Sequence, residues 1–150
     1  MDFLSGQRII YASERFDKIY QLFKEDYGVS IHQLFLIAMT VGFTRGKKVI
    51  RETKGREFRS NYFSAQEKAK IYVMLLNDET INRSIEEFNK EDFPNKAQKL
   101  MENYAEGGME ILIEEVFGDL WNGFKLDETY NEYDIDILSF ISLESKKAPF

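Results

Sequence analysis

The sequence predicts an all-α or nearly all-α fold, a compact single-domain bundle of about six helices. The 150 residues fit one domain by length, and the 43 % hydrophobic share can fill a sizeable core. Apolar residues recur at helical spacing along most of the chain, and capping sequences precede several of these runs. We expect one domain over 1–150 with a flexible tail at 145–150, a short N-terminal strand, and a basic loop or hairpin at 45–59.

Two helices joined by a tight turn are the best-specified part of the chain. The first carries an apolar stripe with spacing i, i+3, i+4, i+7, formed by Phe16, Ile19, Tyr20 and Phe23. Ser13 can cap its start, and Gly28 can adopt the left-handed conformation that ends it. Ser30 and Gln33 then have the spacing of a capping box, which predicts the start of the second helix, and Gly42 is its expected end.

Later helices are predicted from similar signals. Ser64 and Glu67 form a second capping box, Thr80 can cap a short helix, and Pro94 suits a first helical turn, where its missing N–H costs nothing. Gly107-Gly108 is expected to break the helix that Pro94 begins, and Gly118 to end the next. Beyond Asp119 the pattern weakens: Ile135, Leu138 and Ile141 have helical spacing, whereas Ile135 and Ile137 alternate as in a strand.

The charge is distributed unevenly. Residues 45–59 contain seven basic and two acidic side chains, a net charge of +5, within a chain whose net charge is −6. The cations are Arg45, Lys47, Lys48, Arg51, Lys54, Arg56 and Arg59. They are candidate contacts for nucleic acid or for an acidic protein partner, and Phe58, Tyr62 and Phe63 are candidate stacking residues for a base. A third interpretation is a solvated loop that pairs with acids of this chain.

No catalytic centre, cofactor site or metal site is predicted. Cysteine is absent, which excludes thiolate chemistry, disulfides and cysteine-based zinc sites, and no phosphate-binding glycine motif occurs. His32 is the only histidine, and a surface or helix-terminus role is favoured over that of a general base. Glu102, Glu106 and Glu110 have helical spacing, but the expected break at Gly107-Gly108 favours a solvated acidic face over a metal cluster.

Neither a signal peptide nor a membrane span is apparent in the sequence. We therefore expect a cytoplasmic protein without a membrane partner.

Two blocks of the chain resemble a known family. Residues 33–49 show an apolar helix, then Ala-x-x-x-Gly-Phe, then a Gly-Lys-basic turn, and residues 102–112 contain Tyr-Ala-x-Gly-Gly followed by alternating apolar and acidic residues. Both patterns resemble the small accessory proteins encoded beside DNA phosphorothioation (Dnd) systems, the Dnd system-associated protein 4 family. The resemblance implies a role in prokaryotic anti-phage defence within a larger assembly, and it brings no catalytic residues.

Three functional hypotheses follow. The first is a non-enzymatic accessory subunit of a defence system linked to DNA modification or restriction, which binds a larger protein partner. The second is a DNA-binding protein that uses residues 45–59. Because Gln7–Tyr11 can form a strand before two helices, this binder can also be a ribbon-helix-helix-like homodimer. The third is a hydrolase, which requires Glu102, Glu106, Glu110 and Asp119 to gather around a metal ion.

Overall fold

The computed structural model describes residues 2–147, and this part of the chain contains six α-helices and a two-stranded antiparallel sheet. In chain order the elements are β1 Ile9–Ser13, α1 Asp17–Asp26, α2 Ile31–Thr44, β2 Lys54–Arg59, α3 Ala65–Leu76, α4 Ile85–Phe88, α5 Phe93–Leu112 and α6 Tyr133–Lys147. The predicted mostly helical fold with about six helices is confirmed. Lys147 lies in α6, so part of the predicted tail is helical, and residues 148–150 lie outside the described residues.

The predicted N-terminal strand exists, and it pairs with the end of the basic segment. β1 and β2 are antiparallel, with Ile10 opposite Phe58 and Ser13 opposite Lys54. A register shift between Tyr11 and Ser13 interrupts the ladder. The 45–59 segment is therefore not a hairpin with itself: its first part is an irregular loop, and its second part adds a strand to the N-terminus.

Local capping signals were reliable guides to the first helices. Ser30 and Gln33 form both hydrogen bonds of a capping box at the start of α2, and Ser64 and Glu67 do the same for α3. Ser13 accepts a hydrogen bond from Arg15 N and caps a 3₁₀ turn, Glu14–Phe16, that leads into α1. These predictions succeeded because each depends only on residues two or three positions apart.

The centre of the fold is the crossing of α2 and α5, where the predictions for Gly42, Gly107 and Gly108 were wrong. α2 continues past Gly42 to Thr44, and α5 continues through Gly107-Gly108 to Leu112. A Cβ atom at Gly108 would lie 1.6 Å from the carbonyl oxygen of Ala38, and one at Gly42 would lie 2.1 Å from that of Tyr104. The glycines therefore permit backbone-to-backbone contact instead of ending helices.

The two blocks that carry the family resemblance meet in this crossing. Ala38 and Gly42 of the first block face Tyr104 and Gly108 of the second. The loop that follows α2 is also fixed to α5, because Val49 N donates to Asn103 O at 3.0 Å and Arg51 N donates to Asn103 Oδ1 at 3.1 Å. The first part of the basic segment therefore lies along α5.

Between α3 and α5 the chain forms a turn and the single-turn helix α4. The prediction that Thr80 caps a helix was wrong: its backbone N–H and its hydroxyl both donate to Asp78 Oδ1. Ser84 is the residue that supports α4, accepting from Glu87 N at 3.3 Å. Pro94 occupies the first turn of α5, as predicted.

The C-terminal part returns across the bundle. α5 passes into a π-helical turn, Ile113–Phe117, which ends at Gly118 with φ +53°. Trp121 and Leu126 form an isolated bridge, and α6 follows as a helix rather than a strand. Tyr133 and Ile137 of α6 are buried against the core. Among the helices of residues 2–147, none is long and apolar enough to cross a lipid bilayer.

Candidate interaction site

Five of the seven cations in the basic segment form ion pairs with carboxylates of the same chain. The nitrogen-to-oxygen distances are 2.7 Å for Arg45–Glu115, 3.0 Å for Lys47–Glu110, 3.1 Å for Lys48–Asp78, 2.9 Å for Arg51–Glu102 and 2.7 Å for Arg56–Asp17. The acids come from α1, α5, the turn after α3 and the π-helical turn. The net charge of +5 that stands out in the sequence is thus largely compensated within the fold.

Arg45 joins three segments of the chain. Its guanidinium forms two hydrogen bonds with Glu115, at 2.7 and 2.9 Å, and two with Glu144 of α6, both at 2.8 Å. The hydrogen bonds that Arg45 donates to Glu144 and Glu115 raise the pKa of Arg45 above its usual value. Bidentate pairs of this kind fix orientation as well as charge, so Arg45 holds the end of α2 to the C-terminal helix.

Three glutamates form a column along one side of α5, because the helix is not broken at the glycines. Glu102 and Glu106 are buried, and Glu110 is partly exposed. Glu102 accepts hydrogen bonds from Arg51 Nη2, from Tyr11 N at 3.0 Å and from Gln98 Nε2 at 3.1 Å. The acidic face predicted to be solvated therefore connects α5 to β1 and to the basic segment.

Glu110 continues the column toward the surface. It accepts from Arg15 Nη1 at 2.6 Å and pairs with Lys47 Nζ at 3.0 Å. Burial alone would raise its pKa, but hydrogen bonds from these two cations outweigh burial and lower the pKa of Glu110. Arg15 lies outside the basic segment, so its charge belongs to the same network although the sequence pattern did not indicate it.

Lys48 reaches a second buried acid. Asp78 is 1 % exposed and accepts hydrogen bonds from Lys48, Thr80 and the Tyr104 hydroxyl. Burial would raise the pKa of Asp78, but the hydrogen bonds from Thr80, Tyr104 and Lys48 outweigh it, and the pKa is lowered. Lys48 Nζ also lies 5.5 Å from the centroid of the Tyr104 ring. The Lys48 side chain thus has the contacts of a structural residue.

Glu106 is the exception in the column. Its carboxyl receives one hydrogen bond, from Ser13 Oγ to Oε2 at 3.0 Å, and no ion pair with any of residues 2–147. Burial raises the pKa of Glu106 to about 7, although Ser13 and the charge of Arg15 act in the opposite direction. Arg51 Nε, nearby in the same network, is a buried donor without a hydrogen-bond partner in the described chain.

The two remaining cations and the predicted stacking residues lie around the β1–β2 ribbon. Lys54 Nζ is 4.6 Å from the centroid of the Tyr11 ring, and Arg59 Nη1 donates to Gln7 O at 3.5 Å. Both side chains are exposed. Phe58 and Phe63 are buried in the core, which leaves Tyr62, 58 % exposed, as the only predicted stacking residue at the surface.

His32 packs into this aromatic group at the start of α2. Its ring centroid lies 6.2 Å from that of Phe58, 5.7 Å from that of Tyr62 and 5.8 Å from that of Phe63. Its Nδ1 is 3.0 Å from the hydroxyl of Ser30, the N-cap of α2. Burial lowers the pKa of His32. These contacts describe a packed histidine at a helix terminus.

No group of three acidic or histidine side chains that can hold a metal ion occurs within residues 2–147. Glu102, Glu106 and Glu110 share one side of α5, but each is directed to its own hydrogen-bonding partner. The arrangement is that of a structural network, and it provides no paired acid and base in a common cleft.

Sequence reasoning missed the apolar surface of α6. Ile135, Leu138 and Leu143 are 56 %, 64 % and 58 % exposed and lie on one side of the helix together with Ser139 and Ser142. A groove lies on the other side of the C-terminal half of α6, against α2. Its apolar lining comes from Val29, Leu36, Ile37, Val41 and Ile141.

The helical spacing of Ile135, Leu138 and Ile141 was visible in the sequence, but it gave no sign that two of these residues face solvent.

The family resemblance and the functional hypotheses remain predictions. No family model matches the chain, and no curated protein or solved structure is significantly similar to it.

Proposed function

We propose that this chain is a non-enzymatic accessory subunit of a prokaryotic anti-phage defence system linked to DNA modification or restriction, and that it acts by binding a larger protein partner. The observation that carries the protein-binding part is the row of large apolar side chains on α6, Ile135, Leu138 and Leu143, each more than half exposed. Apolar side chains grouped on one exposed face are characteristic of a protein contact.

The charges of the basic segment favour a protein partner over DNA. A DNA-binding surface needs cations that are free to neutralise phosphates. Here Arg45, Arg51 and Lys48 each pair with an acid of the same chain, and the acids Asp78 and Glu102 are buried. Moving Lys48 or Arg51 to a phosphate would leave the buried carboxylate of Asp78 or Glu102 without its counter-charge, which is costly.

The groove between α2 and α6 is a second apolar surface that a protein partner can contact. Leu36 and Ile37 of α2 and Ile141 of α6 form its apolar part, and Glu67 and Lys70 of α3 lie at its edge. An amphipathic helix of the partner fits this combination of apolar floor and charged rim. The defence context is supported by the two blocks that resemble Dnd system-associated proteins.

The partner is tested by co-purification of the tagged chain from its native gene neighbourhood, followed by reconstitution with the purified candidate. We expect Leu138→Lys to abolish binding of a defence-system protein. Val73→Lys is the matched control, because Val73 is a 58 % exposed apolar residue on α3. If Leu138→Lys binds as tightly as the wild type, the α6 surface is not the contact.

The second candidate is direct DNA binding through residues 45–59. Lys54, Arg59 and Tyr62 favour it, because all three are exposed beside the β1–β2 ribbon and the two cations have no carboxylate partner among residues 2–147. The dimeric ribbon-helix-helix form has less support, because β1 already pairs with β2 of its own chain.

Fluorescence anisotropy with plain and phosphorothioated duplexes separates the two candidates. We expect no binding by the isolated chain at moderate salt. Salt-dependent binding that is lost in the Lys54→Glu, Arg59→Glu double variant would replace the protein-partner proposal with the DNA alternative.

A further inference from the structure

A second cleft adjoins the basic loop. Two loops and β1 enclose it: the loop over residues 49–53, the turn at 123–124, and the end of β1 at Ser13. Glu106 lines the cleft, and Ile50 and Phe124 stand at its rim, 74 % and 62 % exposed. We propose that this cleft binds a lysine or arginine side chain of a protein partner, flanked on that partner by apolar residues.

The acidic character of the cleft supports the choice of a cation. Glu14 and Glu52 line it together with Glu106, and none of the three has an ion pair with another described residue. Arg15 is the one cation in the lining, and its charge is engaged by Glu110 at 2.6 Å. The lining therefore holds three carboxyl groups and one cation, and the charges of Arg15 and Arg51 only partly offset the burial of Glu106.

Glu106 is the independent sign of a ligand. The side chain is 4 % exposed, yet Oε1 has no hydrogen-bond partner within residues 2–147, and Ser13 satisfies only Oε2. Among residues 2–147, Arg51 Nε is the one fully buried side-chain polar atom without a hydrogen-bond partner, so Glu106 Oε1 is open to the cleft and can accept from a donor that enters it. An ammonium or guanidinium group entering the cleft provides both the missing donor and the missing counter-charge.

The apolar rim is held in place by hydrogen bonds of its own loops. Arg51 N and Val49 N donate to Asn103, which fixes the backbone on both sides of Ile50. Phe124 N and Lys125 N both donate to Asn122 Oδ1, which fixes the turn that presents Phe124. Two apolar residues on either side of an acid match a cation whose neighbours are apolar. Because their loops are already fixed, binding costs little additional conformational entropy.

This inference rests on the proposed function only in taking the ligand to be part of a protein, and it concerns a different surface from α6. The probe is the peptide Ac-Leu-Arg-Leu-NH₂, and the control is the same peptide with citrulline, which has the shape of arginine without the charge. Carbon-13 NMR of glutamate-labelled protein follows the Glu106 carboxyl during titration. We expect the arginine peptide to shift this resonance and to lower the pKa of Glu106, and the citrulline peptide to do neither.

The pH dependence sharpens the test. Because the pKa of Glu106 is raised by burial to about 7, the ionised form that binds a cation is lost on acidification. Glu14, Glu52, Glu110, Arg15 and Arg51 are the other charged groups around Glu106 and the cleft. Between pH 8 and pH 6 we expect the affinity for the arginine peptide to fall about tenfold, which is the change in the ionised fraction of a group with that pKa.

Variants complete the experiment. Glu106→Gln is expected to remove both the binding and its pH dependence. Glu91→Gln is the control: Glu91 is exposed in the turn between α4 and α5, and its substitution should leave both unchanged. If Glu106→Gln does not fold, the exposed rim variants Ile50→Ser and Phe124→Ser are each expected to weaken binding several-fold. Equal responses to the two peptides, or no response of Glu106 at millimolar peptide, would overturn the inference. The α6 proposal is unaffected by that result, because its readout is the loss of partner binding in Leu138→Lys.

Discussion

The crossing of α2 with α5 and the outer face of α6 use their residues in opposite ways. At the crossing, Gly42 and Gly108 lack the Cβ atom that would keep the two backbones apart, so the residue type is dictated by packing. On α6, Leu138 and Leu143 are large and apolar, although residues 2–147 leave them 64 % and 58 % exposed. The first region explains how the molecule folds, and the second requires an explanation outside the molecule.

The largest effect is expected at the crossing. Gly108→Ala gains about 1 kcal/mol of helix propensity, but its Cβ would lie 1.6 Å from Ala38 O. The helices must separate, so we expect the free energy of unfolding to fall by about 3 kcal/mol or more, measured by urea denaturation. Gly6→Ala is the control, because nothing lies within 4 Å of its Cβ position, and it should change stability by less than about 0.5 kcal/mol.

The next effect concerns the buried ion pair beside the crossing. Arg51→Met keeps much of the side-chain packing but leaves Glu102, 3 % exposed, without its counter-charge. We expect a loss of about 3 kcal/mol in the same assay, reduced when Glu102→Gln is added. Lys54→Met should cost less than about 1 kcal/mol, because Lys54 is exposed, has no ion pair among residues 2–147, and places its ammonium over the Tyr11 ring. Equal losses for the two cations would mean that the buried network is not structural.

A smaller effect depends on pH. The pKa of Glu106 is raised from 4.5 to about 7 in the folded chain. At a pH between these two values, the folded chain holds a proton on Glu106 that the unfolded chain has released. Stability must therefore decrease as the pH rises through this range, by about 1–3 kcal/mol. His32 acts in the opposite direction, since its pKa is lowered by burial. Glu106→Gln isolates the glutamate: its melting temperature should exceed that of the wild type at pH 8.5 but not at pH 5.

The smallest effect is expected for Leu138→Ser on α6, and its buried neighbour Ile137 gives the contrast. Ile137 is 3 % exposed and Leu138 is 64 % exposed. Ile137→Ser should cost about 3 kcal/mol, whereas Leu138→Ser should change stability by less than about 0.5 kcal/mol. A large loss for Leu138→Ser would show that this side chain stabilises the chain itself and would weaken its assignment to a partner.

The sequence predicted those features that depend on near neighbours in the chain. Both capping boxes, the stripe of α1 and the first turn of α5 were found because three or four residues determine them. Gly42 and Gly107-Gly108 were misinterpreted for the same reason. Glycine is a poor helix former locally, and only the backbone of another helix, distant in sequence, explains why it is needed there.

The candidate site was harder to predict than the fold. The cluster of cations was evident, but its partners lie up to 99 residues away, as in Arg45 and Glu144. Nothing in a sequence shows whether a lysine faces water or a buried aspartate, so the pairing of Lys48 with Asp78 required the structure. The spacing of the three glutamates on α5 was visible, but its meaning depended on whether the helix continued through the glycines.

The contact between Ala38 and Gly108 also constrains how this sequence can change by descent. Position 108 cannot acquire a side chain while the helices keep this distance, because the atoms that a Cβ would meet belong to the backbone of α2 and no substitution there removes them. Homologues that keep this crossing should therefore keep the glycine, and one that carries a larger residue at this position should cross its helices at a wider distance.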